Sequence, residues 1–187
     1  MKKSIYLIVL MFLASVVHAQ TPPAPPAPPT AAAPGPAPTT SGKTLPELLG
    51  WMIGEWEGEG TSRSENQFIG KLSAIPELDA TAVLLHREST TKEGLTGGLK
   101  ELMIVGYDGT TKKIIGTVYD NKNTIALYVG ELKSDTELVF NSATAQQGYI
   151  SRRTFKIMPD GRLSFVIEGA SPGKEVSKVV EINFKKK

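Results

Sequence analysis

From residue 54 onward the chain is a succession of short runs rich in apolar and β-branched residues, most of them alternating between hydrophobic and polar side chains. Alternation of period two marks a half-buried strand, because successive side chains leave opposite faces of the pleat. The runs predict strands over 54–63, 67–74, 80–91, 99–107, 113–120, 124–132, 137–145, 149–158, 162–168 and 175–184. Between them stand groups with turn chemistry, among them Asp108-Gly109, Asp120-Asn121 and Pro159-Asp160-Gly161, which tolerate positive φ or preset a bend. Many short strands with short links make an all-β sandwich or barrel with antiparallel neighbours. Up-and-down order is the simplest topology, and closure would remove the exposed edges.

A helical signal precedes the strands. Thr44 followed by Glu47 reads as a capping box, in which side chain and backbone satisfy each other's first-turn donors. The spacing predicts a short helix to about Trp51.

The first strand carries the most specific pattern, Gly54-Glu55-Trp56-Glu57-Gly58-Glu59-Gly60. One face holds three glycines and Trp56, the other three glutamates. The glycine face permits close backbone approach or a sharp bend, with one indole as its only filler, so Trp56 is expected to be the floor of the fold. The in-line glutamates suit a solvated surface better than a cation site, which converges ligands from loops and carbonyls.

Three further positions are candidates for chemistry. His86 lies in Val83-Leu84-Leu85-His86-Arg87-Glu88, where both faces begin apolar, so the pattern leaves its direction open. It is either structural or the single imidazole available for a base or ligand role after residue 18. Over residues 149–157, Tyr149, Ser151, Arg153, Phe155 and Ile157 share one face and Arg152, Thr154 and Lys156 the wetter one. Arg153 is thus expected inside with Phe155. An inward arginine needs a partner: a carboxylate such as Glu88 or Glu101, the ring of Trp56, or an anionic ligand.

Composition alters the picture at the N-terminus. Lys2 and Lys3 precede an apolar run over 5–17 that ends at Val17-His18-Ala19, the layout of a signal peptide spanning 1–19. The run falls short of the ~20 residues of a spanning helix, so no membrane span is expected after cleavage. Residues 21–38 hold nine of the thirteen prolines, with Ala and Thr, and predict an extended Pro/Ala-rich linker over 20–43 that cannot build a core. The domain is expected over 44–187.

The chain has no cysteine, so disulfides, thiolate metal sites and cysteine nucleophiles are excluded. The net charge of +2 resides in Lys2 and Lys3, since the rest carries 19 basic and 19 acidic side chains. That balance argues against nucleic acid as partner. Gly94, Gly97 and Gly98 do not match a dinucleotide-binding spacing. The expected location is periplasmic or secreted.

The segment from Leu48 to Gly60, with Val105-Gly106-Tyr107-Asp108 and Ile115-Gly116-Thr117-Val118-Tyr119-Asp120 downstream, resembles a bacterial family of calycin-like barrels of unknown function. Similar openings occur in nitrobindin-like haem-binding barrels. The resemblance implies a ten-stranded calycin-like barrel with an apolar interior able to hold a small hydrophobic ligand. Nitrobindin-like proteins take haem through a histidine near the C-terminal end of the barrel, whereas no histidine follows His86 here. No cofactor is therefore expected. The leading expectation is a non-enzymatic binding barrel using Trp56, His86, Arg153 and Phe155. Two alternatives are an isomerase or hydrolase working with internal carboxylate and arginine, and an interaction domain on a proline-rich tether.

Overall fold

The computed structural model describes residues 43–92, 98–143 and 150–187. The expected signal segment, the linker up to residue 42, Gly94, Gly97 and Tyr149 lie outside the described residues.

Ten strands form one sheet that closes on itself: β1 (Gly54–Ser62), β2 (Gln67–Glu77), β3 (Ala82–Thr91), β4 (Leu99–Asp108), β5 (Lys113–Asp120), β6 (Ile125–Ser134), β7 (Glu137–Ser142), β8 (Ile150–Ile157), β9 (Leu163–Ala170) and β10 (Ser177–Lys186). Each strand pairs antiparallel with its sequence neighbours, and β10 returns to β1. The molecule is thus an all-β, ten-stranded up-and-down barrel with one short helix in front, as the residue pattern and the resemblance together led one to expect.

The helix α1 (Leu45–Leu48) begins at the anticipated capping box. The Thr44 hydroxyl accepts from the Glu47 amide, and the Glu47 carboxylate accepts from the Thr44 amide at 2.6 Å. The Thr44 amide, and the Thr44 hydroxyl donating to the same carboxylate oxygen at 3.0 Å, hold the Glu47 carboxyl below its usual pKa. It ends well before Trp51, after a single turn, and the chain then descends into the barrel. Leu45, Leu49 and Met52 are buried there beside Trp56, whose indole N–H donates to the Met52 carbonyl at 2.9 Å. A buried Trp with its donor satisfied is the expected form of a floor. Trp56 thus closes the end at which β1 begins.

The glycine face of β1 has a concrete use. A Cβ on Gly58 would lie 2.0 Å from the Asn183 carbonyl oxygen, and one on Gly60 2.0 Å from that of Glu181. Only glycine lets β10 press against β1 at the seam that closes the barrel. The opposite face is solvated as expected, with Glu57 against Lys187 at 3.2 Å and Glu59 against Lys92 at 2.7 Å.

β2 runs to Glu77, three residues beyond expectation and through Pro76. Its pairing with β1 stops at Ala74, and residues 75–77 pair only with β3. Pro76 therefore has no strand on the side where an N–H is missing, which is the position a strand tolerates. The turn that follows was not legible: Leu78, Asp79 and Ala80 all take positive φ, at 52°, 52° and 64°. Left-handed backbone costs an L-residue about 1 to 2 kcal/mol. Ala80→Gly is expected to raise the unfolding free energy measured in urea slightly, by about 1 kcal/mol or less once the greater freedom of glycine in the unfolded chain is deducted.

Candidate functional site

At the end of the barrel remote from Trp56, the inward positions of the strands change from aromatic and aliphatic to polar. Arg87 on β3, Glu101 on β4 and Arg153 on β8 meet inside, each less than 9% exposed. Arg87 and Glu101 face one another directly in the β3–β4 register. The Arg87 guanidinium donates to both carboxylate oxygens, through Nε at 3.4 Å and Nη2 at 3.2 Å, while Arg153 reaches across the lumen to place Nη1 at 2.5 Å from Oε1. Aromatic rings support the cations from behind: Arg87 lies 5.0 Å from the ring centre of Phe165 and Arg153 4.9 Å from that of Tyr128.

Burial alone would push the Glu101 pKa up, but the positive charges of Arg87 and Arg153 outweigh it and hold the carboxyl below the usual range. Burial likewise disfavours the Arg153 cation, and Glu101 more than offsets it, raising its pKa. Glu101 and Arg153 each hold the other in its charged form. Among the described residues the interior therefore contains two guanidiniums and one carboxylate, an excess of one positive charge.

That excess has an address. The Nε of Arg153 is buried and has no hydrogen-bond partner. Arg153 also lines a cleft of about 220 Å³ that opens at the barrel end, with Tyr128, Ser142, Ser151, Val118 and Ile167 among others. Its polar wall is ordered: the Tyr128 hydroxyl bonds Ser151 Oγ at 3.3 Å, and Ser142 Oγ accepts from the Ser151 amide at 3.1 Å. Asp120 also borders the cleft, but its Oδ1 accepts from the amides of Lys122 and Thr124 at 2.8 and 2.9 Å. The Oδ1 of Asp120 is thus committed to its own turn, while its acidic group still borders the cleft that Arg153 lines.

The residues singled out from the sequence are not gathered in one place. Arg153 points inward and Arg152 outward, where Arg152 meets Glu168 at 3.6 Å. Its aromatic neighbour is Tyr128, not the expected Trp56, because Trp56 sits at the opposite, floor end of the barrel. The indole of Trp56 instead takes the Lys186 ammonium at 5.4 Å. Phe155 is two residues further into the core than Arg153, 4.7 Å from Phe165 and 6.3 Å from Phe140, and does not line the cleft. His86 is exposed, on the outer face of β3, where it borders a shallow groove with Glu55, Lys71 and Ser73. Of the two carboxylates considered for Arg153, Glu101 is the partner; Glu88 is outside, 3.1 Å from Lys100.

Arg87 and Tyr128 were missed. The signal for Arg87 was its shared parity with Val83, Leu85 and Ser89, all buried. It was masked by Leu84, which makes both faces of the strand start apolar.

No family model and no curated protein matches the chain. Solved structures do. Rv2717c from M. tuberculosis aligns over 78% of this chain and 99% of its own with a TM-score of 0.58 at 12% identity. More remote are a de novo designed fluorescence-activating β-barrel, with 8% identity, TM-score 0.39 and 75% and 98% coverage, and the redesigned barrel mFAP0 bound to DFHBI, with 12% identity, TM-score 0.38 and 73% and 99% coverage. At these identities the likeness to Rv2717c is one of fold: this chain is a closed β-barrel of the same architecture.

Proposed function

We propose that this protein is an exported, non-enzymatic barrel that binds a small, mostly apolar molecule bearing one anionic group, held at the cleft beside Arg153. The carrying observation is the Arg153 guanidinium in the wall of the cleft, with its Nε buried and without a hydrogen-bond partner. A buried polar group without a partner costs about 1 to 3 kcal/mol, more for a charged one, and an entering anion recovers that loss. The apolar wall of Val118, Ala126, Leu127 and Ile167 suits the rest of the ligand. A volume of about 220 Å³ is below the ~300 Å³ of drug-sized pockets, so the ligand is small or inserts only its head.

The enzymatic alternative needs a carboxyl that exchanges protons near neutral pH. Glu101 is held ionised between two arginines with both oxygens occupied, which suits anchoring Arg153 and disfavours general acid or base work.

Haem held by histidine is disfavoured for a positional reason, since His86 is on the outer face. A haem titration is expected to show no saturable histidine-type Soret band that depends on His86. Calorimetry with octanoate and with octanamide tests the main reading: octanoate should bind at least about tenfold more tightly, as a charged hydrogen bond is worth about 1.5 to 3 kcal/mol. Equal affinity, or octanamide preferred, would overturn it. Export is tested separately. The secreted chain should begin at Gln20, and an intact mass that retains Met1 would remove that part of the proposal.

A further inference from the structure

The cleft at the barrel mouth has two unlike polar walls. Its donors stand together on β6, β7 and β8. The Tyr128 hydroxyl donates to Ser151 Oγ and the Ser151 amide to Ser142 Oγ, so both serine hydroxyls keep a proton to give, alongside the guanidinium of Arg153. The acidic residue among the described lining residues, Asp120, comes from β5 instead. It has the strand parity of Ile114 and Val118, whose side chains are buried. While Oδ1 serves the turn amides of Lys122 and Thr124, Oδ2 has no hydrogen-bond or ion-pair partner among the described residues.

We infer that the ligand is an α-amino acid with an apolar side chain, its carboxylate at Arg153 and the serine hydroxyls and its ammonium at Asp120. This rests on the anion-binding reading of the cleft and narrows it to one chemical class. A plain monoanion satisfies the donor wall only, and it brings its charge toward a like charge on Asp120. An ammonium on the same molecule turns that repulsion into a charge-assisted hydrogen bond.

The register sets how far apart the two groups stand. Asp120 faces Glu101 across β4 and β5, and Cα atoms of such a pair lie roughly 5 Å apart. Arg153 Nη1 reaches Oε1 of that same Glu101 at 2.5 Å. The cation and the acid are therefore near neighbours, which suits an ammonium and a carboxylate joined through one carbon. Val118, Ala126 and Ile167 remain for the apolar side chain, and a cleft of about 220 Å³ suits a molecule of this size.

Calorimetry with octanoate, 2-methyloctanoate and 2-aminooctanoate tests the inference. Wild type is expected to bind 2-aminooctanoate more tightly than octanoate, and 2-methyloctanoate, which adds similar bulk without a donor, no more tightly. Asp120→Asn should cut the preference for 2-aminooctanoate over octanoate at least about tenfold, the scale of a charged hydrogen bond. The asparagine keeps one oxygen for the two turn amides and puts donors where Oδ2 stood. Circular dichroism melting verifies that this variant folds; if it does not, the wild-type comparison of 2-aminooctanoate with 2-methyloctanoate decides. Octanoate bound as tightly as 2-aminooctanoate, or a preference that survives in folded Asp120→Asn, overturns the inference and leaves the anion site standing. Binding of none of the three would remove the anion site itself, and the inference with it.

Discussion

Glu101→Gln is expected to destabilise the protein by about 3 to 5 kcal/mol, the cost of breaking a buried ion pair by removing one partner. The unusual feature is that one carboxylate answers two cations, Arg87 and Arg153. Its neutralisation leaves two buried guanidiniums facing each other through a side chain that supplies one acceptor in place of two charged oxygens. Urea unfolding followed by Trp fluorescence measures the loss. A change under about 1 kcal/mol would mean that water or an unseen anion already screens the cluster. The pH dependence carries the same signature. The folded pKa of Glu101 is depressed from its ordinary 4.5, so its stabilisation is fully present above that value and is lost as pH falls through the lower folded one. Wild type should therefore lose stability on acidification below about pH 4.5 more steeply than Glu101→Gln.

How much of this was legible beforehand depended on whether the two faces of a strand differed. On β8 they do, with Arg152, Thr154 and Lys156 against Ser151, Arg153, Phe155 and Ile157, and alternation placed Arg153 inside without ambiguity. On β3 the outer face starts apolar as well, at Leu84, and the parity that would have revealed Arg87 was lost. Strand starts and stops followed turn chemistry closely at Asp108, Asp120 and Asp160, whose carboxylates accept from the amides of the turns they open. They failed at Leu78-Asp79-Ala80, where ordinary side chains adopt a backbone that composition does not announce. The partner of Tyr128 and Arg153 was out of reach for a different reason. Their contact is set by barrel closure and stagger, which no local pattern encodes.

Arg153→Met is expected to abolish retention of an anionic ligand while lowering the stability of the empty protein far less than Glu101→Gln does. Had Arg153 been the sole partner of Glu101, removing the arginine would have stranded a buried carboxylate at a cost of about 3 to 5 kcal/mol. Here Arg87 still holds Glu101 through two bonds. A methionine fills most of the vacated volume beside Tyr128 with a flexible apolar chain, and exchanging a buried ion for a well-packed apolar group is often near neutral. Ligand binding has no such reserve, because the guanidinium that lines the cleft disappears with the side chain. Octanoate affinity should fall about 10- to 150-fold, the equivalent of the 1.5 to 3 kcal/mol of a charge-assisted hydrogen bond, with octanamide affinity little changed. Arg153→Lys should recover only part of the loss, since an ammonium keeps the charge but not the planar fork that bonds Glu101 through Nη1 and has further donors to offer. If Arg153→Met instead unfolds the protein at neutral pH while Glu101→Gln is tolerated, the order of dependence within the cluster is reversed and Arg153, not Glu101, is its keystone.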